Sequence, residues 1–322
     1  MAESCLESPS EPCLDSQPDL PAPSAALPWL PEDLDAQLRL PVGSVEWARG
    51  PHARSNWLPV GWPRSRFCAG SWPFQVACGY GMSGESEAAG TAKARSLLEG
   101  GITTFVNLTE EGDIAHEGTY EVWIPRLLEI EASISGEDVK SRLRFDICCE
   151  MPDGFVTSDD RFCELLEKLL NELADDQRAV YVHCYGGHGR TGIVSCSLLG
   201  LFYPHLGSLP EELLKKWARP NLKRTTSIFS SGLVIDDDDL LGNNGRYGKY
   251  DPAHWRLAEG AVATFNRFHA ERVNEEGGGF SRFPHSMQQF EQVVRVLQGD
   301  GPFAKLRSHA TIGKCLEKTC AA

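Results

Sequence analysis

The chain has 322 residues, 41% of them hydrophobic, with 45 acids against 31 lysines and arginines and a formal charge of −14. That length supports one domain of ordinary or large size with room for tails and argues against two full domains. The acidic balance argues against nucleic acid or an anionic bilayer as a general partner, while leaving room for a locally basic pocket.

Eleven cysteines, an odd number at irregular spacing, fit reduced thiols better than a disulfide framework. No pair forms a C-x2-C motif, so a structural zinc site has little support. No run of eighteen apolar residues exists and the first residues are acidic, so neither a membrane-crossing helix nor a secretory signal is expected. The expected location is cytoplasmic, without stable membrane association. Oligomeric state is not legible.

Residues 1–55 are rich in proline, serine and acids and read as a flexible tail, with Leu27 to Pro31 as its apolar patch. The domain is expected over 56–300 and a second tail over 301–322. Arg66 to Pro73 reads as an entering strand and turn. A helix follows from Glu85 to Glu99, with Ala88, Ala92, Arg95 and Leu98 near helical period and Gly100-Gly101 as the stop. The strand Ile102 to Leu108 comes next. Beyond a loop from Thr109, one helix is expected around Trp123 to Ala132.

From Leu143 a strand pattern runs until Pro152-Asp153-Gly154 breaks it. Ser158 reads as a helix N-cap, with Phe162, Leu165, Leu166, Leu169, Leu170 and Leu173 on one face to about Ala174. Val180, Tyr181 and Val182 then suit a buried strand ending at His183. Gly186, Gly187 and Gly189 let the backbone curl. Ile193, Val194, Leu198, Leu199 and Phe202 make the following segment a buried helix.

Ser208 caps a short helix to Trp217. Residues 219–252, with Lys223-Arg-Thr-Thr-Ser227 and four aspartates at 236–239, read as a solvated loop insertion. A helix resumes over Ala253 to Val273, with Trp255, Ala258, Val262, Phe265 and Phe268 inward, and a last helix runs to Leu297. The alternation of helix and strand implies an α/β fold, with a central mostly parallel or mixed sheet flanked by helices.

The stretch Ala179 to Val194 carries the chemistry. A glycine-rich turn opening onto a helix N-terminus presents backbone N–H groups and a positive dipole end, which is an anion site. Cys184 lies inside it, and cysteines so placed can have their pKa lowered to roughly 3.5–7.5, which makes a nucleophile near neutral pH. Arg190, six residues on, supplies a planar fork for two phosphoryl oxygens.

The run HCYGGHGRTG resembles the signature loop of the cysteine-dependent protein tyrosine phosphatase superfamily, H-C-x-x-G-x-x-R-S/T-G, and within it the compact dual-specificity-like branch. The resemblance spans roughly 66–295, where outside the loop it rests on order and spacing. It implies Cys184 as nucleophile, Arg190 as phosphate clamp and Thr191 as a hydroxyl supporting the thiolate as leaving group. The loop from Tyr185 through Gly186, Gly187, His188 and Gly189 to Arg190 would hold the phosphate. His183 would fix the loop through hydrogen bonds. No metal and no cofactor is required.

The resemblance also calls for an aspartic acid on a mobile upstream loop. Asp153, 31 residues before Cys184, stands at the matching place. Turn chemistry alone also explains Pro-Asp-Gly, and Asp146 is the rival acid, within the strand pattern. Pro284 and Gln289 fit a family Pro-x-x-x-x-Gln pattern in which glutamine orients the hydrolytic water, but Ser286 and Gln289 equally make a capping box.

Three functions remain open. The first is a phosphatase acting on phosphotyrosine, with phosphoserine or phosphothreonine accessible if the pocket is shallow, so that the partner is a phosphorylated protein. The second is an inositol phosphate or phosphoinositide phosphatase, for which the loop offers few cations, Arg190 and His188, unless Lys215, Lys216 or Lys223 fold in. The third is a phosphate-binding pseudoenzyme.

Overall fold

The computed structural model describes residues 27–61, 63–74, 87–110, 120–135, 142–218, 250–272 and 282–313. Strands Ser55–Leu58 (β1), Phe67–Gly70 (β2), Thr104–Asn107 (β3), Arg144–Cys148 (β4) and Val180–His183 (β5) form a 5-stranded sheet in the order β1-β2-β5-β3-β4. β2, β5, β3 and β4 are mutually parallel, and β1 is antiparallel at one edge. β5 sits centrally, and its apolar run follows from burial on both faces: Val180 and Val182 join one core while Ala179 and Tyr181 join the other.

Helices Glu87–Glu99 (α2) and Tyr120–Ser135 (α3) cover the face that holds Tyr181. In chain order, they follow the short helix Leu34–Arg39 (α1). Helices Asp159–Ala174 (α4), Gly189–Phe202 (α5), Glu211–Trp217 (α6), Pro252–His269 (α7) and Met287–Gln298 (α8) cover the other. The result is a three-layer α/β fold in which the loop after β5 emerges between β2 and β3, the strand order that forms a crevice at the carboxyl ends. The inward residues expected on α4 and α7 are all buried.

The ordered structure reaches beyond the expected tails. Leu34, Leu38, Val45 and Ala48 are buried because a short capped helix and a turn feed them onto the core, and Leu27 and Leu30 are buried where the Leu30 N–H donates to the Pro63 carbonyl and Arg64 to the Leu27 carbonyl. The strap 40–43 is held by an ion pair with both partners fully buried, Arg267 to Glu271 at 2.6 Å. Arg267 donates to the carbonyls of Leu40 and Pro41, and the N–H of Gly43 donates to Glu271. At the other end Phe303, Leu306 and Ile312 are buried, with Phe303 edge-on to Phe162.

Two helices differ in detail from expectation. On α2 the buried stripe is Gly90, Lys93, Ala94, Leu97 and Leu98, whereas Ala88 and Ala92 are exposed. Ala94, Leu97 and Leu98 on this stripe join the core under the sheet, and the Lys93 ammonium is taken up by acceptors described below. The helix expected to begin at a Ser208 cap starts at Glu211 with Pro210 as its cap, Ser208 closing a separate 3-10 turn over Pro204–Ser208. The insertion, with Thr225, Thr226, Ser227 and the four aspartates, lies outside the described residues. Among the described residues the six cysteines are free thiols, and no helix is long and apolar enough to cross a membrane.

Candidate active site

β5 delivers Cys184 to the floor of a loop that α5 closes. Gly187 adopts φ +75, and a Cβ there would run into the backbone of Gly70 and come within 2.6 Å of the Ser71 nitrogen. Both the conformation and the close approach require glycine. The N–H of Gly187 donates to the Cys184 sulfur at 3.2 Å, and the thiol is 3% exposed. Backbone N–H groups of Gly186, His188 and Gly189 have no acceptor among the described residues. With the N-terminus of α5, they form a cradle of donors suited to an anion.

Neighbouring elements hold this cradle from outside. The Trp72 N–H donates to the Tyr185 carbonyl at 2.9 Å. Lys93, buried on α2, donates to Ser71 Oγ and the Trp72 carbonyl at 2.6 Å each, and the Tyr181 hydroxyl donates to the Ser71 carbonyl at 2.6 Å. Arg272, just past α7, donates through Nη1 to the Gly187 carbonyl at 3.1 Å and through Nε to Asn56 at 2.7 Å. A Cβ on Gly189 would lie 3.0 Å from His285 Nδ1 and 3.1 Å from Gln289 Nε2, so the start of α8 closes over the other edge.

Arg190 is 1% exposed. Its Nη1 donates to the Met151 carbonyl at 3.0 Å, and Nη2 lies 3.3 Å from the Asp153 carboxylate, whose side chain is 36% exposed. The guanidinium thus ties the loop to the Pro152-Asp-Gly turn, where Gly154 takes φ +78. The rival, Asp146, is exposed on β4, the strand at the sheet's far edge. Thr191 is fully buried, and its hydroxyl has no hydrogen-bond partner among the described residues.

The histidines around the loop are held neutral. Burial, reinforced by Lys93 and Arg190, pushes His183 down to about 3, against the opposing effect of a hydrogen bond with the Cys184 backbone. Its ring packs edge-on to Trp72. Burial, then Arg272, His285 and Arg54, takes His188 well below the ordinary range, and its Nδ1 meets His269 Nε2 at 2.7 Å. Burial and the neighbouring cations all disfavour the charge expected on His188. His285 is lowered mainly by burial, with Asp153 opposing.

Gln289 is fully buried. Its backbone N–H is capped by Ser286 Oγ at 3.4 Å, its Oε1 accepts the His285 N–H at 3.0 Å, and its Nε2 points to the Phe155 carbonyl at 3.4 Å. A cap and a placement beside the loop coexist. Sequence reading missed Lys93, Arg272, Arg54, His269 and His285. The one available signal was a lysine between alanines on an otherwise apolar helix stripe; the others are brought in by chain crossings that no local pattern reveals.

Residues 145–228 match a family described as the Swiss Army Knife protein, DSP-PTPase phosphatase domain. That segment includes the Asp153 turn and the whole loop. Among solved structures, a kinase-associated phosphatase with its catalytic cysteine replaced by serine is similar at 20% identity and a TM-score of 0.30, over 42% of this chain and 65% of that one. No curated protein matches.

Proposed function

We propose that this chain, which belongs to the cysteine-dependent protein tyrosine phosphatase superfamily with a phosphatase domain of the dual-specificity type, hydrolyses phosphomonoesters through a phosphocysteine. Cys184 attacks phosphorus while Asp153 protonates the leaving oxygen. Water then attacks the phosphocysteine, with Asp153 taking its proton. The N–H groups of the loop and the Arg190 fork hold the equatorial oxygens, fixed donors aimed where charge develops. Thr191 supports the sulfur as it leaves, His183 keeps the loop in shape, and Gln289 stands beside the loop where it can orient water. The observation that carries the reading is Arg190, which spans from the nucleophile's loop to the Asp153 carboxylate 3.3 Å away.

The substrate class proposed is phosphotyrosine in proteins, with phosphoserine and phosphothreonine cleaved more slowly, and the location proposed is cytoplasmic. A pocket floored by one buried cysteine and one paired guanidinium matches a singly phosphorylated phenol. One observation favours the alternative of a polyphosphorylated inositol compound. Arg272 and Arg54 both lie close enough to His188 to act on its protonation, so cations reach the loop from outside it. Lys215 and Lys216 are exposed on α6, and Lys223 lies outside the described residues. The test is the ratio of kcat/KM for a phosphotyrosyl peptide and a soluble inositol polyphosphate at equal ionic strength. The peptide is expected to win. An inositol compound ahead by about tenfold, or 1.4 kcal/mol of transition-state binding, replaces the first reading with the second.

A further inference from the structure

The loop that bears Asp153 is bonded at several points by α8 and its N-cap. Ser286 Oγ donates to the Gly154 carbonyl at 2.9 Å, Gln289 Nε2 to the Phe155 carbonyl at 3.4 Å and Gln292 Nε2 to the Thr157 carbonyl at 2.8 Å. One turn further on, Arg295 grips Asp159 through Nε at 2.9 Å and Nη2 at 2.8 Å. These donors sit at the N-cap and along one face of α8, at the spacing that puts residues three apart on the same side. Their acceptors follow in the same order along 154–159, so helix and loop are bonded side by side.

At its upstream end the same loop is fixed by the Met151 carbonyl, which accepts from Arg190, and by the buried Met151 side chain. Asp153 lies between two anchored points. It is partly exposed, yet the carbonyls of Gly154, Phe155 and Thr157 after it are engaged by donors from the N-cap and face of α8. A loop that swings away to admit substrate would give up the bonds to Gly154, Phe155 and Thr157 together, leaving the fully buried Gln292 amide only its 3.4 Å bond to Asp159 Oδ1, which is costly.

We infer that Ser286 and Gln292 are positioning residues for the acid: they latch the 154–157 backbone to α8, so that Asp153 works from a standing position at Arg190 rather than from a mobile lid. This rests on the assignment of Asp153 as general acid. Neither residue touches substrate or the reacting atoms, and their effect passes through the backbone that carries the carboxyl. Loosening the latch should harm the step in which the leaving oxygen needs a proton and spare the steps that use only Cys184 and Arg190.

The experiment is a series of aryl phosphates of graded leaving-group basicity, from 4-nitrophenyl to phenyl phosphate, tested with the full chain and four variants. Ser286→Gly removes the hydroxyl while keeping a residue tolerated at an N-cap. Ser286→Thr keeps the hydroxyl, Gln292→Met keeps the shape without the amide, and Asp153→Asn removes the acid. Ser286→Gly is expected to lose about tenfold in kcat/KM on phenyl phosphate, a fraction of what a general acid contributes, and less than about threefold on 4-nitrophenyl phosphate. Gln292→Met should do the same in proportion, and Ser286→Thr should restore the wild-type slope.

Equal losses for Ser286→Gly across the series, or none, would overturn the latch, provided Asp153→Asn steepens the dependence on leaving group. If Asp153→Asn does not steepen it, the acid assignment itself fails and takes the latch with it. Should Gln292→Met not fold, the Ser286 pair still decides.

Discussion

The two loops that meet at Arg190 are built in opposite ways. The loop from Cys184 to Arg190, proposed to hold phosphate, is continuous in sequence: a strand delivers it, a helix receives it, and the donors it offers are its own backbone N–H groups and the Arg190 guanidinium. The Asp153 loop, proposed to carry the acid, has no such internal closure beyond one turn, Phe155 N–H to the Pro152 carbonyl at 3.1 Å, and past Asp153 takes its position from side chains more than 130 residues later. Holding an anion needs many fixed dipoles, which a short run of glycines supplies locally. Holding one carboxyl at one place needs anchors, and those are drawn from wherever the fold packs.

That contrast ranks the consequences of breaking each part. Cys184→Ser should abolish turnover of an aryl phosphate while circular dichroism and Tm stay close to wild type, since the change is nearly isosteric; turnover surviving in EDTA would remove the cysteine from the mechanism. Asp153→Asn comes next, with a loss of roughly 10²–10⁴-fold for a basic leaving group that shrinks when the leaving group needs no proton. If the loss is uniform, Asp153 is only a turn residue.

Gly187→Ala should hit stability as well as activity. The positive φ and the contact with Gly70 and Ser71 leave no room for a methyl, and a destabilisation of about 1–3 kcal/mol is expected from chemical unfolding. A neutral result would mean that the loop relaxes away from β2. Smaller again is Arg272→Ala, expected to raise KM for phosphate esters by about 5- to 30-fold, the worth of one to two kcal/mol from a charged hydrogen bond to the Gly187 carbonyl, with little change in leaving-group dependence.

The buried histidines add a pH signature. A histidine kept neutral binds fewer protons in the folded than in the unfolded chain, so stability falls as pH drops below the ordinary 6.5 toward the folded value. For His183, shifted to about 3, the loss between pH 6.5 and 5 is about 2 kcal/mol. His188 and His269 act in the same direction. Denaturant midpoints should therefore decline over this window, before most carboxylates titrate. His269→Gln should flatten that decline, and a midpoint independent of pH from 7 to 5 would show these rings to be hydrated.

The same division explains what the sequence made legible. The strand before Cys184, the glycine turn and the apolar face of α4 were readable because each depends on neighbours within a few residues. The expected mobile acid loop was harder to judge, since nothing near Asp153 announces that Ser286 and Gln292 will bond its neighbours. Lys93 was not singled out because its partners, the carbonyls at Ser71 and Trp72, come from the turn that follows β2. The strap at 40–43 escaped notice for the same reason: Arg267 and Glu271 look like an ordinary i,i+4 surface pair until burial is known.

The central claim is that phosphate passes through the Cys184 sulfur. Rapid acid quench of the full chain during turnover of an aryl phosphate, followed by peptide mass spectrometry, tests it directly. The account predicts a phosphate adduct on the peptide containing Cys184, absent in Cys184→Ser and enriched in Asp153→Asn with an activated leaving group, because water attack then lacks its base. Turnover with no adduct at Cys184, or an adduct on another side chain that survives Cys184→Ser, would contradict it.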